Sequence, residues 1–303
     1  MYEKFYGFKN SPFNLTPDSD FFYSSPRHEE ALNRLAVSIS ERNGFTVITG
    51  DIGSGKTTVC RKLLREIDPA TKIALILNTH LGKKELLTTI LEDLEIEYKS
   101  TSKTHILSAL NKYLIEQAAK DVTVVLLIDE AQNLTPTVLE EVRMLSNLET
   151  EKEKLLQIIL VGQPELRKKL SHPKLRQFSQ RIVMYYHLGP LDRVETTGYI
   201  KHRLNIARYE REEELFPEET IDDIYNYSQG IPRLINLVCH NSLIGGFLYE
   251  FRTISKDIAK DAIDELMYNK AYKSTGRTDA NISDEEQIVV NSNNIMPLTF
   301  NRV

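Results

Sequence analysis

The sequence contains no tryptophan and only two cysteines, Cys60 and Cys239, far apart and without a Cys or His neighbour at ligand spacing. That excludes a disulfide scaffold and a zinc-binding framework, and it predicts two buried, reduced thiols of the kind met in the cytoplasm. An excess of positive charge is also missing: 38 Lys+Arg stand against 43 Asp+Glu, a net charge of −5, so a globally basic nucleic-acid coat is ruled out. A polyanionic partner would have to be met by local patches. Long apolar runs are absent too, since VTVVLLI and LLQIILVG fall well short of the roughly 20 apolar residues of a spanning helix. Direct membrane insertion is therefore not expected. The opening MYEKFYGFKN is aromatic and polar, without the continuous apolar stretch of a signal peptide. With 41% hydrophobic and 27% charged residues, the chain reads as a globular protein of one large or two smaller domains.

Residues 1–25 mix turn formers with Phe and Tyr and read as an extended arm, whose aromatics pack into a core or, alternatively, face a partner. From residue 26 to 190, apolar runs of strand length alternate with helical patterns. FTVITG precedes GKTTVCRKLLREI, KIALILN precedes KKELLTTILEDL, VTVVLLIDE precedes TPTVLEEVRMLSNLE, and LQIILVG precedes QPELRKKL. Continuous apolar strands separated by helices predict a parallel sheet covered on both faces, with its ligand beyond the C-terminal strand ends. After VMYYHLGPL the strand signal stops, and residues 191–272 read as a small all-helical domain. Residues 273–303 are polar and Asn/Ser-rich, and a flexible tail is expected.

The stretch Gly50, Asp51, Ile52, Gly53, Ser54, Gly55, Lys56, Thr57 fits G-x-x-x-x-G-K-[ST] between a strand and a helix. Loop N–H groups and the helix N-terminus would face phosphates, Lys56 would reach the β and γ oxygens, and the Thr57 hydroxyl would coordinate Mg²⁺. Thr58 completes the expected nucleotide contacts. VVLLIDE ends an apolar strand in two acids: Asp129 would hold Mg²⁺ and Glu130 would activate the attacking water. A second acid at that point argues for hydrolysis, because a small-molecule kinase must exclude water. No N-K-x-D guanine motif and no L-S-G-G-Q transporter signature occur.

An ATPase with a helical domain behind its sheet has the AAA+ layout: a P-loop NTPase αβα core with a parallel sheet, followed by a small all-helical lid. Three further positions follow from that layout. Gln163, after LQIILVG, is placed to touch the γ-phosphate or the water, the alternative being a turn-stabilising Gln before Pro164. Arg181, with Arg176 as the second candidate, closes a helix before a strand, where an arginine can reach a neighbouring subunit's nucleotide or simply cap the helix. Arg233, in GIPRLINL, can reach back over the γ-phosphate or form an interdomain ion pair.

The segments FYGFKNSPFNLTPDSDFFYSSPRHEEAL, GDIGSGKTT, LIDEAQNL, LVGQPEL, LRQFSQRI and GIPRLINLVCHNSL occur in family order. With them the chain resembles the general secretion pathway A-type (ExeA-like) family of AAA+ ATPases, which has relatives among transposition ATPases. The resemblance implies ATP hydrolysis in a homo-oligomeric ring or filament, for secretion, type IV pilus or exopolysaccharide export. It also implies a cytoplasmic site of action, with inner-membrane attachment through a protein partner. Longer family members continue into a membrane span and a peptidoglycan-binding domain, where this sequence has its polar tail. Two alternatives stand beside this reading. One is an ATP-dependent DNA-binding regulator of transposition, for which Lys83, Lys84, Lys152, Lys154, Arg167, Lys168 and Lys169 are candidate phosphate contacts, if not merely solvated. The other is a nucleotide-gated scaffold with little turnover.

Overall fold

The computed structural model describes residues 1–274 apart from 17, 43, 101, 152 and 210–212, so Lys152 and residues 275–303 of the expected tail lie outside the described residues. After α1 (Tyr2–Tyr6), the chain forms α2 (Pro26–Ser40), β1 (Phe45–Gly50), α3 (Lys56–Glu66), β2 (Lys72–Ile76), α4 (Lys83–Asp93) and α5 (Lys103–Ala118). It continues through β3 (Val124–Ile128), α6 (Pro136–Leu145), β4 (Gln157–Gly162), α7 (Pro164–Leu170), α8 (Arg176–Ser179) and β5 (Ile182–Leu188). The lid is α9 (Arg193–Ile206), α10 (Glu218–Ser228), α11 (Pro232–Leu248) and α12 (Lys256–Ser274).

The strands form one sheet in the order β2-β3-β4-β1-β5, and every pair is parallel. Successive strand residues point to opposite faces, and the core divides accordingly. Val47, Leu126, Ile128, Ile158 and Leu160 pack beneath α4 to α8, while Ile48, Val125, Leu127, Ile159 and Val161 pack against α2 and α3. Strand β4 is inserted between β1 and β3, which brings the C-terminal ends of three buried strands side by side. With neighbouring strands about 4.8 Å apart, whatever follows β4 stands between the loop after β1 and the acids after β3.

Capping residues mark the helix starts. Ser25 precedes Pro26 and accepts the His28 N–H, and Thr135 caps α6 ahead of Pro136 in the same way. Asp192 and Glu195 form a reciprocal capping box that opens the lid. Among the described residues, no helix is long and apolar enough to cross a membrane.

The first residues differ from the expected extended arm. Residues 2–6 form α1, closed by Gly7 at φ 84°, and the arm lies in the lid rather than along its surface. Tyr2, Tyr6, Phe8, Phe13 and Phe21 share one core with Ile200, Leu215, Phe216, Ile235 and Leu243. Buried Tyr6 donates to the Phe251 carbonyl at 3.0 Å, and burial pushes its phenol up to about 12. A short lid lacks enough apolar residues of its own to close a core, so the arm's rings complete it. Phe13 is fully buried and meets Phe216 edge to face at 5.8 Å. Phe13→Ala should therefore destabilise the protein by about 3–5 kcal/mol, as measured by denaturant unfolding. A loss below about 1 kcal/mol would mean that the arm only rests on the lid.

Candidate nucleotide site

Strand β1 ends at Gly50, and α3 begins at Lys56. The loop between them takes the left-handed conformation at Gly53 (φ 83°) and Gly55 (φ 98°), and a Cβ on Gly53 would stand 2.4 Å from Arg233 Cβ. Glycine is required there by backbone angle and by space together. The result is a cradle that ends on the N-terminus of α3, whose first N–H groups have no intrahelical partner. Lys56 is buried, and its Nζ donates to Gly50 O at 2.8 Å and Asp51 O at 2.9 Å. Burial pulls the ammonium below its usual lysine value, against the opposing pull of the Glu130, Asp129 and Asp51 carboxylates.

Thr57 Oγ1 donates to Asp129 Oδ2 at 2.8 Å, so the two residues expected to hold Mg²⁺ are in contact across the sheet end. One hydroxyl and one carboxylate are a hard-oxygen set that suits Mg²⁺, an ion that keeps several waters and shares phosphate oxygens. The cradle also fits a polyphosphate, because Lys56 and the helix N-terminus face the same space. Asp129 Oδ1 accepts the Glu130 N–H at 2.8 Å.

Glu130 has φ 50°, a left-handed backbone that a side-chain-bearing residue adopts only when its surroundings hold it there. Two amides do so. Gln163 Nε2 donates to Glu130 Oε2 at 3.2 Å, Gln132 Nε2 donates to the same oxygen, and Gln132 Oε1 accepts the Gln163 N–H at 3.0 Å. Gln132 thus ties the end of β3 to the end of β4, a role that sequence reading missed. The available signal was an amide side chain two residues after the acid pair in LIDEAQNL, in a one-turn 3₁₀ segment, Ala131–Asn133.

Lys56, Thr57, Thr58, Glu130, Gln163 and Arg233 line one cavity of about 310 Å³ between sheet and lid. The Arg233 N–H donates to Gly53 O at 3.2 Å and pins α11 to the loop, while its side chain stays exposed at the cavity wall. The arm supplies Asn14, Thr16 and Phe22 to the same wall, which its sequence did not reveal. In the same wall, buried Arg203 donates to the Pro12 carbonyl and to Tyr199 OH at 3.0 Å, and Tyr199 donates to Asn236 Oδ1 at 2.9 Å. Neither Arg176 nor Arg181 lines this cavity. Arg181 is half-buried and donates to Ser146 Oγ at 2.8 Å, and Arg176 is exposed on α8.

The basic residues are divided in use. Lys169 donates to the Gln132 and Leu134 carbonyls, Lys154 pairs with Glu149, and the Arg167 guanidinium lies 5.4 Å from the Tyr185 ring centre. Lys83, Lys84 and Lys168 are exposed.

A phosphate loop after β1, an acid pair after β3, β4 inserted between them and a helical lid over the opening define a P-loop NTPase fold of the AAA+ class. A family model described as the AAA domain matches residues 39–170. Over 248 residues, 82% of this chain, the sequence is 40% identical to general secretion pathway protein A of Aeromonas hydrophila, and it spans 45% of that protein's length. The chain is thus an AAA+ family protein and a relative of general secretion pathway protein A. Solved structures share the fold at low identity. The Aeropyrum pernix ORC2 protein in ADPNP-ADP complexes matches with TM-score 0.60 and 16% identity, over 85% of this chain and 72% of that one. The Aeropyrum pernix ORC1 protein in complex with DNA matches with TM-score 0.64 and 14% identity, over 94% and 75%.

Proposed function

We propose that this chain hydrolyses ATP at a subunit interface and uses the cycle to drive or switch assembly of a bacterial envelope system, such as secretion, type IV pilus or exopolysaccharide export. The observation that carries the reading is the position of Glu130, held by Gln163 and Gln132 and lining the same cavity as Lys56 and Thr57. In this reading Lys56 exchanges its bonds to the loop carbonyls for β and γ oxygens, and Gly53 to Thr58 bind the phosphates. Thr57 and Asp129 would hold Mg²⁺, which when bound would supply charge neutralisation to the phosphates. Glu130 takes the proton of the attacking water, Gln163 orients that water, and Arg233 lies over the γ-phosphate. Arg181 of a neighbouring subunit, or Arg176, meets the charge that develops in the transition state.

The envelope assignment rests on the Aeromonas relative's name, and with it go a cytoplasmic location, a homo-oligomer and a membrane-associated protein partner. Of the basic residues that would favour DNA instead, Lys154 and Lys169 are already engaged within the chain, which weakens that second reading. Phosphate release from ATP and Mg²⁺ tests the proposal, with Lys56→Ala as the control. The substitution removes two charge-assisted hydrogen bonds, so nucleotide affinity should fall about 100-fold or more, measured by titration calorimetry. Unchanged affinity would place the nucleotide elsewhere.

A further inference from the structure

The first turn of α2 reaches the phosphate loop. His28 is only 5% exposed, and both ring nitrogens are engaged: Nδ1 with Ser25 Oγ at 2.8 Å and Nε2 with Ser54 O at 3.2 Å. A carbonyl only accepts, so Nε2 carries the proton and Nδ1 accepts from the Ser25 hydroxyl. The Ser25 oxygen in turn accepts the His28 N–H at 3.4 Å. The ring is backed edge-on by Phe22, 5.9 Å away at 80°, and burial holds the imidazole below its usual pKa and hence neutral.

A trans peptide points its C=O and its N–H in opposite directions. With the Ser54 carbonyl drawn down onto His28, the Gly55 N–H is turned the other way. A Cβ on Gly55 would stand 2.8 Å from His28 Nε2, so the imidazole packs directly against that residue, and His28 lines the cavity beside it. Gly55 itself lines the cavity.

We propose that His28 is a positioning residue of the phosphate loop: its Nε2–H fixes the Ser54–Gly55 peptide with the Gly55 N–H presented to the phosphates of a nucleoside di- or triphosphate. The inference rests on the nucleotide-site reading above. It also makes the end of the arm part of the binding machinery, because Ser25 and Phe22 set the ring that sets the loop.

Two substitutions separate the ring's bonds. His28→Asn keeps an acceptor for Ser25 but is too short to reach Ser54, whereas His28→Gln places an amide donor near the Nε2 position. Binding of ADP, AMP and adenosine to the full chain is measured by calorimetry, with the ligand-free unfolding midpoint reporting on folding. His28→Asn should weaken ADP about tenfold, the value of one hydrogen bond, while adenosine binds as before and His28→Gln regains most of the ADP affinity. Equal weakening of ADP and adenosine, or no difference between the Asn and Gln variants, would overturn the proposal and leave the nucleotide site standing. If the unsubstituted chain fails to bind ADP, the nucleotide reading falls and this inference with it. Should His28→Asn not fold, His28→Gln decides alone: ADP affinity near that of the unsubstituted chain supports the proposal, and a tenfold loss sinks it.

Discussion

Glu130→Gln is expected to lower ATP turnover about 10²- to 10⁴-fold while ATP still binds, because the amide has the shape of the carboxylate but takes no proton. The surroundings of Glu130 sharpen the expectation. One carboxylate oxygen accepts from both Gln132 and Gln163. An amide turned with its carbonyl oxygen in the place of Oε2 can still accept from both glutamines, so the site keeps its shape while the base is lost. Gln163 should therefore stay in place, and the loss should be that of a base removed from an otherwise intact site. Single-turnover phosphate release, set beside ATP affinity, checks both halves. Turnover near that of the unsubstituted chain would show that the base is another residue.

Arg181→Ala should reduce turnover about 10³-fold, the lower range for an arginine supplied to another subunit's nucleotide, without changing ADP affinity. Arg181 is absent from its own cavity wall and lies just before β5, the edge strand of the sheet. Among the described residues its guanidinium donates to Ser146 Oγ, a bond worth about 1 kcal/mol, so exchanging it for a phosphate contact costs little. The measurement is the specific rate against protein concentration. A steep rise that disappears in Arg181→Ala supports a shared site, and a larger loss in Arg176→Ala moves the role to that residue. A rate that is flat and near zero at all concentrations favours a nucleotide-gated scaffold.

Much of the fold was legible because its signals are local. The apolar runs ending at Gly50, Ile128 and Gly162 became the three buried central strands at the positions expected from their hydropathy. The Gly spacing from Gly50 to Gly55 located the loop, since glycine takes the positive φ found at Gly53 and Gly55 without the strain a side chain would bring. The arm was read less well. Its Phe and Tyr spacing signals burial but names no partner, and the lid that receives these rings lies at the other end of the chain.

Gln132 and His28 escaped notice for a related reason. An amide after an acid pair and a histidine in the first turn of a helix are unremarkable in sequence. Their contacts are Gln132 meeting the N–H at the end of β4, and His28 meeting a carbonyl of a loop formed after a whole strand has intervened.

The sequence by itself determined the nucleotide class of the site, the alternation of strand and helix, and the helical character of the lid, because each is written in contiguous residues of fixed spacing. Only the tertiary structure decided that β4 lies between β1 and β3, that the arm belongs to the lid, and that Glu130 is gripped by two glutamines. It also decided that Arg181 lies away from its own cavity. Strand order and cross-element hydrogen bonds join residues far apart in the chain, and no local periodicity encodes which distant partner completes a core or satisfies a buried polar group.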